Sequence, residues 1–402
     1  MKAFRPFIFV VVLIGSCAAS NMLFAQRQFV IPKQLEPVQF DQRTDISSWN
    51  HYNRVEGIFA GVDGTIVPFS KKKIALTGGA GYGFAMKAPR YHLSGMVNFG
   101  TDHTIQIGAG YFDHTASNEG WIIGEIENSV AGVLLHEDFM DYYALKGWRG
   151  WVQLQVKEWL TLRALFQSAE YGNLKKNTDW SLCPAKRKRF RVNPDVAEGK
   201  ENLIRASVII DRLDNPIYPM KGTYLQVAGE RSLGSSNGGF SDYTGLFATL
   251  RWFQPTVENQ KMSLKIRGAE VWNAGHLPQH LIDFGGIGTL QAYPYKAFQN
   301  ASGLLLGRLM YDFEGDIMNS NSFSWIPFSN MVELSVFLEA GKGWFPKIWN
   351  APFLHFRSSV PFKYDAGISL SISGDLIRID LGHPIHDRDG QWRITARVLP
   401  RW

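Results

Sequence analysis

The chain has 402 residues, of which 45% are hydrophobic and 13% aromatic, and this length suits one large all-β domain or two ordinary domains. Its formal net charge of +6 is mild for such a length and does not favour nucleic acid as a partner. Of its two cysteines, Cys17 lies within the first 25 residues, which we predict to be removed, so we expect no internal disulfide.

Residues 1–25 have the features of a secretory signal peptide. Lys2 and Arg5 form the basic start, residues 7–14 form the apolar stretch, and residues 23–25 form the cleavage site before Gln26. The apolar stretch is too short to cross a bilayer as a helix. An alternative is lipidation of Cys17, because residues 14–17 loosely resemble a lipoprotein cleavage box. In either case we expect the chain to be exported.

Alternation of apolar and polar residues with a period of two predicts strands from residue 54 onward, after a polar, short periplasmic lead-in over residues 26–50. Predicted strands are 55–67, 74–86, 91–99, 104–112, 151–157, 160–167, 203–211, 223–230, 243–253, 261–267, 304–313, 332–339, 364–373, 376–383 and 392–399. Bacterial barrels have even numbers of strands, so we expect about sixteen, with the missing one in residues 121–135. Residues 136–145 could form a short helix or a plug.

The connections predict a barrel topology, because short and long ones alternate from residue 172 onward. Residues 214–222, 256–260 and 374–375 are short, and residues 172–200, 273–303 and 344–363 are long. Short periplasmic turns and long external loops are typical of outer-membrane barrels. The connection 315–331 is an exception, since it is too long for a turn.

These patterns predict an all-β fold, a transmembrane antiparallel β-barrel over residues 51–402, located in the cell outer membrane. In the strand 376–381, for example, Ile377, Ile379 and Leu381 point to the predicted lipid side, and Arg378 and Asp380 point to the lumen. The predicted lumen residues are Arg205, Asp211, Lys265, Arg267, Glu339, Arg378 and Asp380. A soluble β-sandwich or propeller is the alternative, but we find no internal repeat, and a soluble sheet would expose large apolar patches.

Several motifs of the C-terminal half resemble the bacterial surface antigen family, the barrel of BamA- and TamA-like outer-membrane insertases and translocases. The motifs are the turn at residues 211–222, Gly285-Gly286 followed by Leu290-Gln291-Ala292-Tyr293, the segment 337–341 around Glu339, and the closing strands from residue 365. The resemblance covers residues 200–402 well and residues 50–200 loosely. It implies a loop with Gln291 and Tyr293 that folds into the lumen against Glu339, and participation in inserting or translocating polypeptides or lipids. The alternative is a passive pore or structural barrel on the same scaffold, without insertase activity.

The sequence departs from this family in two ways. The family has an arginine and a glycine at the positions of Gln291 and Ala292. A Gln291–Glu339 hydrogen bond would contribute only about 1 kcal/mol, so we expect a less firmly held loop, or Lys296 as the counter-charge of Glu339. Residues 26–50 also leave no room for periplasmic capture domains, so we expect a periplasmic partner to supply client capture.

Two further groups of residues are candidate sites. Pro400 and Trp402 resemble a barrel seam and a C-terminal assembly signal, with a strand end and an interfacial anchor as the alternatives. A basic run in a long loop could bind lipopolysaccharide phosphates or could be a solvated loop; it comprises Lys186, Arg187, Lys188, Arg189 and Arg191.

We predict no enzymatic activity, cofactor or metal site, because the chain has no G-x-S-x-G, Walker A or H-E-x-x-H pattern. A barrel lipase built from scattered residues stays open as an alternative. Glu137, Asp138 and Asp141 lie beside His136, but their spacing matches no calcium or zinc motif, so we expect a solvated loop there.

Overall fold

The computed structural model describes residues 45–68, 74–100, 105–183, 188–216, 218–234, 242–257, 260–274, 277–313, 332–345, 358–372, 377–386 and 390–398. The chain divides into two compact units. Unit 1 is Met1–Ser207 with Glu230–Asp242, and unit 2 is Val208–Gly229 with Tyr243–Trp402. Strands β9 and β10 contribute residues to both units.

The first ten strands are β1 (Asp45–Ser48), β2 (His51–Asn53), β3 (Gly57–Ile66), β4 (Ile74–Gly83), β5 (Ala88–Phe99), β6 (Ile105–Ala116), β7 (Tyr143–Lys157), β8 (Leu160–Asn173), β9 (Gly199–Asp211) and β10 (Gly222–Ser232). The remainder are β11 (Thr244–Pro255), β12 (Lys261–Trp272), β13 (Ile282–Phe284), β14 (Phe298–Ala301), β15 (Gly303–Asp312), β16 (Val332–Phe345), β17 (Ser358–Ser359), β18 (Lys363–Ile372), β19 (Ile377–Pro384) and β20 (Arg393–Val398).

Unit 1 is an antiparallel meander, in which strands that follow one another in sequence are hydrogen-bonded neighbours. β1 and β2 both pair with β3, along its far and near halves, so together they occupy one strand position. Pairing then continues from β3 to β8 without a crossover. Such local connections are typical of up-and-down barrels.

Unit 2 repeats this pattern with one interruption. β11 pairs with β12, β12 with β15, β15 with β16, β16 with β18, β18 with β19, and β19 with β20, all antiparallel. β13 and β14 pair only with each other, in the connection between β12 and β15. This small hairpin belongs to the long loop that contains the sequence motif at residues 285–293.

The described strands agree with the predicted number of about sixteen. Sixteen positions remain when β1 and β2 are taken as one strand and the short pieces β13, β14 and β17 are set aside. The location predicted for the missing strand was wrong, however. It is formed by β1 and β2, in residues 45–53, part of which we had assigned to the lead-in.

Residues 121–135, where we expected that strand, contain no strand and are mostly helical. A 3-10 helix (Asn118–Trp121) starts at Ser117, whose side chain accepts a hydrogen bond from the Glu119 amide, and α1 (Glu125–Val130) and a π-helical turn (Ala131–Leu135) follow. Acidic residues in the first turn of α1 suit the positive end of its dipole. Among the described residues, no helix is long and apolar enough to cross a membrane.

Burial along the strands is the inverse of that in a soluble sheet. In β19, Ile377 and Ile379 are 42% and 44% exposed, whereas Arg378 and Asp380 are almost completely buried. In β7, Val152 and Leu154 are likewise exposed, as the period of two predicted. The polar face of each unit is therefore the packed face, and the apolar face is available to hydrocarbon.

Candidate functional site

The loop between β12 and β15 ends in a compact tip, residues 285–297. Gly285 and Gly286 have positive φ angles of 105° and 78°, a region that other residues rarely adopt. The hydroxyl of Thr289 accepts a hydrogen bond from the Gly285 amide at 2.8 Å and donates one to the Gly286 carbonyl at 3.1 Å. These bonds fix the tip's conformation, so its outermost residues can be presented in a defined orientation.

Residues 290–293 of the tip are buried against the charged face of unit 2. The backbone amide of Gln291 donates to Glu339 Oε2 on β16 at 2.8 Å, and the amide of Ala292 donates to Asp365 Oδ2 on β18 at 2.8 Å. The Gln291 side-chain Nε2 donates to Asp380 Oδ2 on β19 at 2.9 Å. Three carboxylates on consecutive strand positions therefore hold the tip, two of them through its main chain.

This arrangement changes the expected role of Gln291. The sequence suggested a side-chain bond between Gln291 and Glu339, but the side chain bonds to Asp380, and only the main chain of Gln291 bonds to Glu339. Tyr293, the other loop residue that we singled out, is buried, and its hydroxyl lies 3.5 Å from the Tyr364 carbonyl, at the limit of a hydrogen bond.

The counter-charge of Glu339 is Arg308 on β15, a residue that was not among the predicted site residues. Arg308 lies directly opposite Glu339 in the strand register, with its Nη1 at 3.1 Å from Glu339 Oε1 and its Nη2 at 3.4 Å from Asp380 Oδ1. The alternative based on Lys296 was wrong, because Lys296 pairs with Asp283 of the same loop at 2.8 Å. One signal was available: Arg308 is the lone charge in the apolar stretch 304–311.

The other predicted lumen residues differ in their environments. Arg205 and Arg267 are buried, and Arg205 pairs with Glu230 at 3.0 Å within unit 1. Lys265 is partly exposed, and Asp211 is exposed at the end of β9. Among the predicted lumen residues, burial is therefore strongest for Glu339, Arg378 and Asp380.

Unit 1 contains a second buried polar cluster, centred on Arg54 in the turn between β2 and β3. Its guanidinium is fully buried and donates to the Met140 carbonyl, to Asp141 Oδ1 at 2.8 Å and to Asn193 Oδ1 at 3.0 Å, and it lies 3.1 Å from Asp138 Oδ1. We refer to this group as the Arg54 cluster. It joins the β2–β3 turn to the segment 136–142 and to the β8–β9 loop, residues 174–198.

Asp138 and Asp141 are thus part of a folded structure, and the expectation of a solvated loop was wrong for them, whereas the side chain of Glu137 is 45% exposed. Asp138 also accepts hydrogen bonds from Asn128 Nδ2 at 3.0 Å and from the Tyr142 hydroxyl at 2.9 Å. Burial raises the pKa of Tyr142, and the nearby Asp138 carboxylate raises it further.

The described part of the basic run folds back onto the same segment. Lys188 lies 2.5 Å from Glu137 and donates to the Leu135 carbonyl at 3.0 Å. Arg191 pairs with Asp141 and donates to the Asp138 carbonyl at 3.1 Å. Arg189 is exposed. Lys186, Arg187, Pro400 and Trp402 lie outside the described residues.

Another buried carboxyl closes the β2–β3 turn. Glu56 accepts hydrogen bonds from Asn53 Nδ2 at 2.7 Å and from the Thr115 hydroxyl at 2.8 Å, and its Oε2 lies 2.6 Å from His51 Nε2. Burial opposes ionisation of Glu56, but the charge of His51 and these hydrogen bonds outweigh it, so the pKa of Glu56 is lowered.

Comparison with known families agrees with this architecture. Residues 159–396 match the Omp85 superfamily domain, and residues 35–210 match the C-terminal domain of a family of unknown function (DUF5686). The chain therefore belongs to the Omp85 superfamily. No curated protein sequence matches it.

Solved structures of similar fold include BamA from Haemophilus ducreyi lacking POTRA domains 1–3, with a TM-score of 0.58 and 12% identity over 94% of this chain and 77% of that one. CdiB from Acinetobacter baumannii (TM-score 0.44, 12% identity, 88% and 58% coverage) and CdiB from Escherichia coli (0.46, 10%, 90% and 63%) are also similar. The match to BamA confirms the predicted fold class, an all-β antiparallel barrel-type sheet of about sixteen strands.

Proposed function

We propose that the protein is an outer-membrane barrel that takes part in inserting or translocating polypeptides or lipids at that membrane. The observation that carries this proposal is the loop tip held on the charged face of unit 2 by Glu339, Asp365 and Asp380. A barrel that serves only as a channel for solutes needs an open lumen. A buried, hydrogen-bonded segment on the lumen face narrows the lumen. It therefore favours a function carried out by the strands and loops of the barrel over conduction of solutes.

The exposed faces of the strands support a membrane location. Tyr91, Tyr111 and Trp148 stand on the outer face of β5, β6 and β7; the rings of Tyr91 and Tyr111 stack 6.2 Å apart, and Tyr111 is the register partner of Trp148. Rows of outward aromatic residues at one level are typical of the interfacial girdle of outer-membrane barrels. The apolar residues below them, such as Val152 and Leu154, suit the hydrocarbon band.

Depletion of the protein from its own cell tests this proposal. We expect the outer membrane to lose at least one class of barrel protein or of surface lipid, and re-expression of the wild-type chain to restore that class. Unchanged outer-membrane protein and lipid composition after complete depletion would contradict the proposal.

Planar-bilayer recording separates the proposal from the passive pore. A lumen that contains a held loop should give low, irregular conductance, whereas a large and steady open state would favour the pore and argue against the insertase-like role. The variant Glu339→Gln provides a second test. It removes the charge of one carboxylate that holds the loop, so it should raise the conductance.

A further inference from the structure

The cation of the loop tip, Lys296, has its ion pair with Asp283 rather than with the acids on which the tip rests. Glu339, Asp365 and Asp380 are all buried and accept hydrogen bonds from the tip. Lys296, the one basic residue in the sequence of the tip, is paired with Asp283 of the same loop. Buried carboxylates are costly unless they are paired, so their counter-charge must come from the strands.

Arg308 occupies the opposite side of two of these acids, Glu339 and Asp380. Glu339 binds Arg308 through Oε1 and the Gln291 amide through Oε2. Asp380 binds Arg308 and the Ser369 hydroxyl through Oδ1, and the Gln291 side chain through Oδ2. Each acid thus has one oxygen directed to Arg308 and one directed to the loop.

The position of Arg308 is fixed independently of the loop. Its guanidinium carbon lies 4.5 Å from the centroid of the Phe337 ring, and Glu339 is its direct cross-strand partner. Charge-assisted hydrogen bonds of this kind orient a carboxylate as well as neutralise it. Arg378 also contacts Asp380, at 3.3 Å, and of these two arginines Arg308 is the one with a contact to Glu339.

We propose that Arg308 is the positioning residue of the loop: it holds the charge and the orientation of Glu339 and Asp380 so that both can accept the hydrogen bonds of the tip. Gln291 lies within hydrogen-bond distance of the same two acids. A guanidinium at position 291 could therefore replace that of Arg308 from the loop side. The inference holds whether the protein inserts clients or forms a pore.

Thiol accessibility in the full-length protein in lipid nanodiscs tests it. In a Cys183→Ser background, Ala292→Cys reports on the tip, because Ala292 is 3% exposed, and Ala75→Cys on β4 reports on the integrity of the sheet. The probe is a maleimide-polyethylene glycol reagent. The matched control is Arg90→Gln, since Arg90 is also a buried arginine on a polar strand face and pairs with Asp113 of unit 1.

Arg308→Gln should increase the labelling rate at position 292 by about tenfold or more. The loss of one charge-assisted hydrogen bond lowers the ratio of held to released tip by about that factor. Arg90→Gln should leave that rate unchanged. In the double variant Arg308→Gln/Gln291→Arg, position 292 should be protected again, a rescue that a purely structural role of Arg308 would not give. Position 75 should stay protected throughout.

Two results would overturn the inference: wild-type protection at position 292 in Arg308→Gln, or rapid labelling there in the double variant while position 75 stays protected. If Arg308→Gln alone does not fold, the double variant decides. Folding with a protected tip supports the inference, and failure to fold contradicts it.

Discussion

Replacing Arg54 by methionine should release the β8–β9 loop of unit 1. Arg54 holds that loop at both ends: its carbonyl accepts hydrogen bonds from the amides of Asn177 and Thr178 at 2.9 and 3.2 Å, and its guanidinium donates to Asn193. Methionine preserves most of the apolar stem, so the change removes mainly the charge and its donors. Of the contacts that Arg54 makes with this loop, the two main-chain bonds to Asn177 and Thr178 then remain.

The cost follows from what the substitution leaves behind. Asp138 loses a cation at 3.1 Å while staying buried, although it keeps its bonds from Asn128 and the Tyr142 hydroxyl. Removing one partner of a buried ion pair typically destabilises the folded form by about 3–5 kcal/mol. Where the loop recloses faster than a protease cuts, this corresponds to cleavage that is roughly 150 to 5,000 times faster.

Limited trypsin digestion of the detergent-solubilised protein measures this effect, since the loop carries Lys175, Lys176 and Arg189. Arg191→Met is the matched control, because the side chain of Arg191 bonds to the same segment but is 34% exposed and should matter less, by about tenfold at most. Equal cleavage rates in wild type and Arg54→Met, or equal rates in the two variants, would refute the reasoning.

Three further predictions concern other parts of the fold. Gly343→Ala should lower the free energy of unfolding, measured in urea, by about 1–3 kcal/mol, because the added methyl group would overlap the ring of Phe284 in the loop. Gly268→Ala is its control and should be nearly neutral, since an added methyl group there has no neighbouring atom within 4 Å. The pKa of Glu56 is lower in the folded protein than its ordinary value of 4.5, so the ionised carboxylate stabilises the fold above pH 4.5. This stabilisation is lost as the pH falls through the folded-state pKa. Glu56→Gln should therefore flatten the pH dependence of the unfolding midpoint below pH 4.5. Leu338→Arg, in the middle of β16 on its exposed face, should cost about 2–4 kcal/mol of stability in a lipid bilayer, measured by folded-state gel mobility, whereas Leu338→Met should not; equal mobility of both would contradict a lipid-facing position.

The strands and their faces could be predicted from the sequence because alternation is a local property. Ile377, Arg378 and Ile379 already show which side is apolar, and no knowledge of their partners is required. The signal fails where strands are short or interrupted. β1 and β2 have four and three residues, separated by a break, and each is below the length at which a period of two can be recognised.

The candidate sites were harder to predict from the sequence, because their contacts join residues that are far apart in the chain. Arg54 meets Asn193 across 139 residues, and Arg308 meets Asp380 across 72. Nothing in the residues around Arg54 indicates a buried ion pair, and the helical segment that precedes Asp138 contains apolar residues at spacings compatible with a strand. A single sequence reveals which residues carry charge, but the choice of partner is made by tertiary packing.

The loop motif at residues 290–293 differs from the family pattern, yet the loop tip is still held in place. We expected the exchange of arginine and glycine for Gln291 and Ala292 to loosen the loop. The bonds to Glu339 and Asp365 come from the main-chain amides of these two residues, however, and any residue except proline supplies such a donor. What the acids require in addition is a cation, and Arg308 supplies it from the strand. The identity of the side chains at the tip can therefore change while the tip keeps its place, as long as β15 keeps its arginine.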